Sequence, residues 1–251
     1  MIISSQGEAC SPNDDIKALD LNGTNALRDR LLKIQANSGS GEDALLAGAE
    51  IELENDKKAE LTKIEEARQA LQDLRDYLAQ CSDRAAQALP REDELVYSYN
   101  PETQECEITR LDGQDIELYL GQSNLQGKLP LPPQLMITKL RCNHNQLTTL
   151  PELPPSLTRL YCDSNKLTSL PILPGNLSEI YCRKNQLTAL PVLPASLFKL
   201  DCRDNQLTIL PELPASLTYL DCHKNPGLAS DPATQAAMQA MRDRGGYVKS
   251  W

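Results

Sequence analysis

The residue types that could carry chemistry here are cysteine, histidine and paired carboxylates, and their spacing decides what they can do. Of the eight cysteines, five fall at 142, 162, 182, 202 and 222, one every 20 residues. A zinc site asks for close Cys-x-x-Cys pairs, which the sequence lacks. The interval instead marks one position in a periodic structure, a column of inward thiols where an aliphatic residue would otherwise stand. Neighbouring thiols in it would lie roughly 5 Å apart on parallel strands, an arrangement suited to a reducing compartment. Cys10, Cys81 and Cys106 are scattered. The two histidines, His144 and His223, are four intervals apart and cannot share a site. Carboxylate pairs such as Asp14-Asp15 and Glu65-Glu66 read as solvated helix charges. There is no glycine-rich phosphate loop, nucleophile elbow or metal-ligand pair. The sequence points away from an enzyme, a cofactor or a metal, and toward a molecule that works through its surface.

The element that positions the thiols is a repeat running from about Ile137 to Leu228. Asparagine recurs at 145, 165, 185, 205 and 225, in step with the cysteines. The stretch Leu157-Thr-Arg-Leu160-Tyr-Cys162-Asp-Ser-Asn165-Lys-Leu167 fits L-x-x-L-x-[L/C]-x-x-N-x-L, the pattern of a leucine-rich repeat. Each unit is one strand plus a return segment and cannot bury its apolar face alone, so units stack into a shared core. The fold class is therefore α+β, a leucine-rich repeat solenoid of 20-residue repeats with a parallel sheet on its concave face. Leu160, Leu167 and their equivalents fill the core. The asparagines turn the chain after the strand and satisfy backbone groups of the neighbouring turn. Prolines in segments such as Leu170-Pro171-Ile172-Leu173-Pro174 forbid a helix on the return side, so the convex side is extended.

The flanks divide the chain into a helical N-terminal region, 1–89, and a repeat domain, 90–251. Thr24 is placed to cap a helix over about 25–36, and Asn37-Ser-Gly-Ser-Gly41 reads as a joint. From Glu42 to about Ala88 helix formers dominate, with a break expected near Asn55. Ile64, Leu71, Leu78 and Ala85 fall on one heptad position, and Ala67, Leu74, Cys81 and Ala88 on the other. This seam fits a coiled coil, or a bundle closed within the chain on residues 25–36, and its alanines favour the closed form. Three strands are expected at 95–99, 105–111 and 116–120, separated by turn signals, as a β-meander that caps the solenoid. Residues 118–130 look like a degenerate first repeat, one residue out of register. The regular repeats take 129–228 and the C-terminal cap 229–251. Asp231-Pro232 starts a helix of about 233–244 whose Ala237, Met238 and Met241 face lids the last repeat, and 247–251 is left to fold back or fray.

Charge is uneven. Residues 1–115 hold 25 acids and 12 bases, and residues 116–251 hold 10 acids and 13 bases. The acidic front argues against a nucleic-acid or anionic-membrane binder. No run of 18 apolar residues is present, so no membrane span is expected. The first residues lack the basic start and apolar core of a cleavable signal peptide.

On the concave face the non-leucine strand positions form columns: Lys139, Arg159, Glu179, Lys199, Tyr219, then Arg141, Tyr161, Tyr181, Asp201, Asp221. Beside them run Asn143, Asp163, Arg183, Arg203, His223. Tyrosine and arginine are the residues that interface hot spots favour. The candidate partner-binding residues are Tyr161, Tyr181, Arg159, Arg183, Arg203, Arg141, Lys139 and Tyr219.

The Leu-Pro-x-Leu-Pro segments at 150–154, 170–174, 190–194 and 210–214, with Asn-x-Leu-Thr at 145–148, 165–168, 185–188 and 205–208, resemble the bacterial leucine-rich-repeat effectors of the YopM and IpaH types. The resemblance implies a virulence protein that a bacterium secretes, without a cleavable signal peptide, into the host cell cytoplasm. There its concave face would bind a host protein. IpaH-type members carry a C-terminal ubiquitin-ligase domain, whereas only residues 229–251 follow the repeats here, so ligase activity is not carried over. A substrate-recognition part of a ligase-type effector and an oligomerising scaffold are the alternatives. With its seam closed, the chain is expected to be a monomer.

Overall fold

The structure, a computed structural model, describes residues 42–100 and 105–250. The described residues divide into two compact units, 42–65 with 99–100 and 105–106, and 66–98 with 107–250. The expected helix at 25–36 lies outside the described residues.

Helix α1 spans Glu42–Cys81. It runs through Asn55, because one asparagine costs a helix only a few tenths of a kcal/mol and cannot break it. The interruption comes instead at Ser82, whose Oγ accepts from the Ala85 N–H at 3.1 Å and starts a separate turn, α2 (Asp83–Ala86). Along the seam Ala67, Leu71, Leu74, Leu78 and Ala85 are buried, while Cys81 and Ala88 are half-exposed. In the larger unit this helix is held by residues on its C-terminal side. Arg75 donates to Pro90 O at 2.6 Å, the Arg68 guanidinium lies 4.9 Å from the Tyr97 ring, and Tyr77 Oη donates to Gln126 O at 2.8 Å. Truncating a buried Leu71 or Leu74 to alanine removes about 2–5 kcal/mol.

The strands β1 (Leu95–Asn100) and β2 (Glu105–Arg110) form a two-stranded sheet of their own. The expected third strand of a meander, β3 (Ile116–Tyr119), instead opens the solenoid sheet and pairs in parallel with β5 (Ile137–Arg141). Its Ile116-x-Leu118 alternation suits the solenoid core, where both side chains are buried. The hairpin reaches the solenoid through Ile108, which donates to Gln134 O at 2.8 Å and accepts from Met136 N at 3.0 Å. Between β3 and β5, β4 (Gln126–Lys128) pairs with β6 (Gln146–Thr149) on the return side.

After a one-residue irregularity between Ile116 and Glu117, the first repeat runs in register with the others from Glu117 on. Leu118 pairs with Leu140, and Ser123 takes the asparagine position, fully buried with its N–H donating to Asn145 Oδ1 at 3.0 Å. This unit is longer than 20 residues, and that length blurs its sequence pattern.

The main sheet continues through β7 (Arg159–Tyr161), β8 (Glu179–Tyr181), β9 (Lys199–Asp201) and β10 (Tyr219–Asp221), all parallel and in equivalent register. Beneath it the leucine ladders and Cys142, Cys162, Cys182, Cys202 and Cys222 are fully buried. Each cysteine N–H donates to a carbonyl of the next strand, as from Cys162 to Tyr181 O at 2.8 Å, so no buried amide in this column is left open. The asparagine column ties successive turns. Asn165 Oδ1 accepts from Leu147 N at 3.0 Å, while its Nδ2 donates to Cys142 O at 2.9 Å and Cys162 O at 3.0 Å. Asn185, Asn205 and Asn225 repeat that arrangement. The Leu-Pro-x-Leu-Pro segments return without a helix.

Asp231 caps α3 (Pro232–Asp243) by accepting from Thr234 N at 2.7 Å, and Met238 and Met241 are buried against the last repeat's end. Gly245, at φ +85°, turns the chain so that β11 (Tyr247–Lys249) pairs in parallel with β10. The main sheet thus has seven strands.

Candidate partner-binding face

Parallel strands set equivalent side chains about 4.8 Å apart, close to the stacking distance of aromatic rings. Tyr161 and Tyr181, one above the other on β7 and β8, accordingly stack with centroids 4.7 Å apart and planes 8° from parallel. Arg141, in the same column, lies with its guanidinium 4.3 Å from the Tyr161 ring and 5.4 Å from the Tyr119 ring. Beyond Tyr181 the column turns acidic, and the aromatic line steps sideways. Lys199 Nζ is 5.1 Å from the Tyr181 ring and 4.8 Å from Tyr219, which stacks on Tyr247 at 5.0 Å. Ring and cation contacts therefore run on across the sheet, in the order Tyr119, Arg141, Tyr161, Tyr181, Lys199, Tyr219, Tyr247. Tyr119, Lys199 and Tyr247 complete the strip and are not among the eight residues that the sequence points to. The signal for Tyr119 was its place in the Ile116-Glu-Leu-Tyr alternation, and Tyr247 needed the added strand β11.

The cations of this face differ in what they are free to do. Lys139 is paired to Glu117 at 2.6 Å, Arg159 to Glu179 at 3.0 Å, and Arg203 to both Asp201 and Asp221 at 3.6 and 3.4 Å. Arg183 and His144 share Asp163, each at 3.8 Å. His223 Nδ1 lies 2.5 Å from Asp221 Oδ1. The hydrogen bond from Lys139 holds the Glu117 carboxyl below its ordinary range. Asp163, Asp201 and Asp221 are not solvated rim charges, as strand alternation alone suggests, but are buried on the floor. Burial raises the Asp201 carboxyl above its ordinary value, partly offset by Arg203. Among the described residues, Arg141 has no carboxylate within ion-pair distance.

A shallow concavity of about 320 Å³ opens over this region, bounded by Arg141, His144, Tyr161, Asp163, Tyr181 and Arg183. It gathers four of the eight sequence-predicted residues: Arg141, Tyr161, Tyr181 and Arg183. Arg159, Lys139, Arg203 and Tyr219 lie outside it. The two histidines are held by different carboxylates, and no cluster of metal ligands occurs among the described residues. Burial pushes the Cys142 thiol up to about 12, and Cys162, Cys182 and Cys202 well above the ordinary thiol value, so the column is chemically quiet. What the face can do is hold another surface by stacking, guanidinium contacts and hydrogen bonds.

No protein-family model and no characterised protein sequence matches the chain. Among solved structures, a Shigella effector leucine-rich-repeat domain is 43% identical over 45% of this chain and 50% of its own, with a TM-score of 0.42. YopM from Yersinia enterocolitica is 36% identical over 40% of this chain and 27% of its own, with a TM-score of 0.33. YopM from Yersinia pestis is 24% identical over 60% of this chain and 53% of its own, with a TM-score of 0.36. The chain thus spans about half or less of each of these proteins. By its own register and asparagine ladder it is a leucine-rich-repeat solenoid, and it resembles the leucine-rich-repeat effectors of Shigella and Yersinia.

Proposed function

We propose that this chain is a protein-recognition module of a bacterial effector and that it grips a host protein through the concave face. The observation that carries the reading is the Tyr161–Tyr181 stack with Arg141 beside it, at the mouth of an open concavity. Stacked tyrosines present a large, rigid, amphipathic area whose ordering cost folding has already met. A shallow floor of this kind matches a protein surface better than a small molecule, which asks for an enclosed apolar pocket. The work is binding rather than catalysis, and it takes place in the host cytoplasm, a reducing compartment that keeps the thiol column reduced.

The test begins with capture of partners from host-cell lysate by the full chain, followed by affinity measurement for the protein recovered. Replacing both Tyr161 and Tyr181 with alanine should weaken that affinity by about 2 kcal/mol or more. Unchanged affinity in a folded double variant would move the site off the concave face.

A further inference from the structure

We propose that Arg141 is the anion anchor of the concave face, and that it takes the carboxylate of an aspartate or glutamate side chain presented by a polypeptide partner. This deepens the concave-face reading and rests on it. Lys139, Arg159, Arg183 and Arg203 are each committed to a carboxylate, and Lys199 sits between tyrosine rings as a point charge. Arg141 differs in geometry as well as in partners. Tyr119 and Tyr161 lie within 5.4 and 4.3 Å of its guanidinium, which fixes the group by cation–π attraction and removes much of its rotational freedom. Its Nε is buried with no hydrogen-bond partner, so the cation has lost water at its base without compensation. The donors that remain are those at the tip, and a guanidinium tip matches two carboxylate oxygens in a forked pair.

The choice of carboxylate follows from the floor. Asp163 and Asp201 both border the same concavity and are buried, so a second negative charge on the ligand meets them at close range. A phosphate monoester carries nearly two charges at neutral pH, and a side-chain carboxylate carries one. The floor therefore favours the singly charged group.

The probe is an acetylated, amidated hexapeptide with a single glutamate among glycines and serines, titrated into the full chain by calorimetry. Saturable binding is expected, weakened about tenfold by Arg141→Met and nearly as much by Arg141→Lys, which keeps the charge but loses the fork. Arg159→Met, which removes a cation already paired, should change it less than about twofold. Equal losses at Arg141 and Arg159 would reduce the effect to general electrostatics and overturn the proposal. No binding at millimolar peptide, or tighter binding of a single-phosphoserine peptide of equal length, would overturn it as well. Melting curves of Arg141→Lys and Arg141→Met show whether a loss reflects unfolding, and the lysine variant keeps the test valid if the methionine variant does not fold. The lysate-derived partner separates the two levels of the argument. If binding is lost with the tyrosine pair but retained in Arg141→Met, the anchor fails while the face stands. If it is retained in both, the face fails too.

Discussion

Strands β7 and β8 present Tyr161 and Tyr181 in the same column where β9 and β10 present Asp201 and Asp221, in one unbroken register. The first pair stacks, half-exposed, beside a guanidinium with no carboxylate partner. The second pair is buried and closed over by Arg203 and His223. The backbone and the thiol column beneath do not change along the sheet, so the difference comes from the outward side chains alone. A buried carboxylate needs its charge answered locally, and answering it uses up the cations that would otherwise face a partner. The C-terminal half of the concave face is therefore satisfied within the chain. The N-terminal half pairs Lys139, Arg159 and Arg183 as well, but leaves the tip of Arg141 and the edges of the Tyr161–Tyr181 stack open.

The sharpest way to break this contrast is to remove Asp221. At 1% exposure it answers both Arg203 and His223, so Asp221→Ala should cost about 3–5 kcal/mol and lower the melting temperature by about 10 °C. Tyr161→Ala in the open half removes one stacked ring and should cost about 1 kcal/mol in stability. Calorimetric melting of the two variants decides the matter. Equal losses would mean that the acidic cluster is not the structural half of the face.

Next in size is the thiol column, which runs under both halves and should not distinguish them. Cys182→Ser places a hydroxyl among apolar neighbours with no acceptor provided and should cost about 1–3 kcal/mol. In the native protein the column should be slow to react with a thiol reagent, with Cys162 and Cys202 equally protected. Fast labelling of three or more of the five would contradict the register. The same burial sets a pH dependence. The folded thiol of Cys182 titrates well above the ordinary value of 9.0, so its contribution to stability is complete below that value. It is lost as pH rises above it, because the unfolded chain ionises first, by about 1.4 kcal/mol per pH unit for each such thiol. A Cys182→Val variant should therefore lose stability less steeply between pH 9 and 11 than the parent chain.

The sequence made the frame legible and left the ownership of charges hidden. Period, thiol column, asparagine ladder and the Asp231-Pro232 cap all follow from local chemistry that repeats or punctuates, and the structure keeps them. What could not be read depends on which neighbour a side chain meets. Strand alternation sends Asp201 and Asp221 outward, yet ladder neighbours about 4.8 Å away cover them. Arg159, Arg203 and Arg141 look interchangeable as letters, and only the carboxylates opposite make the first two structural and leave the third open. The third expected cap strand reads as part of a meander because turn signals fix where strands end and not which sheet they join. Ser82 does not stand out as a break because one capping residue is a weak signal inside a long run of helix formers.

The smallest effect is expected where the two halves share a backbone strain. The residue before each asparagine is held at positive φ: His144 at 55°, Ser164 at 56°, Lys184 at 54°, Asp204 at 54° and Lys224 at 56°. In this left-handed region Asn and Asp are tolerated better than long side chains, because Cβ crowding is partly offset by local hydrogen bonding. Asp204, in the closed half, already has a suitable side chain and also pairs with Lys224 at 3.2 Å. Lys184, in the open half, is exposed and has only its backbone N–H engaged, at 3.0 Å from Arg203 O. Lys184→Asn should therefore raise stability by about 0.5 kcal/mol, whereas Asp204→Lys should lower it by a similar or slightly larger amount. Urea midpoints of the two single variants, with unchanged slope, read this directly. If Lys184→Asn destabilised the chain, the open half would be relying on that lysine for support. The idea that its exposed side chains are spare for a partner would then have to be given up at this column.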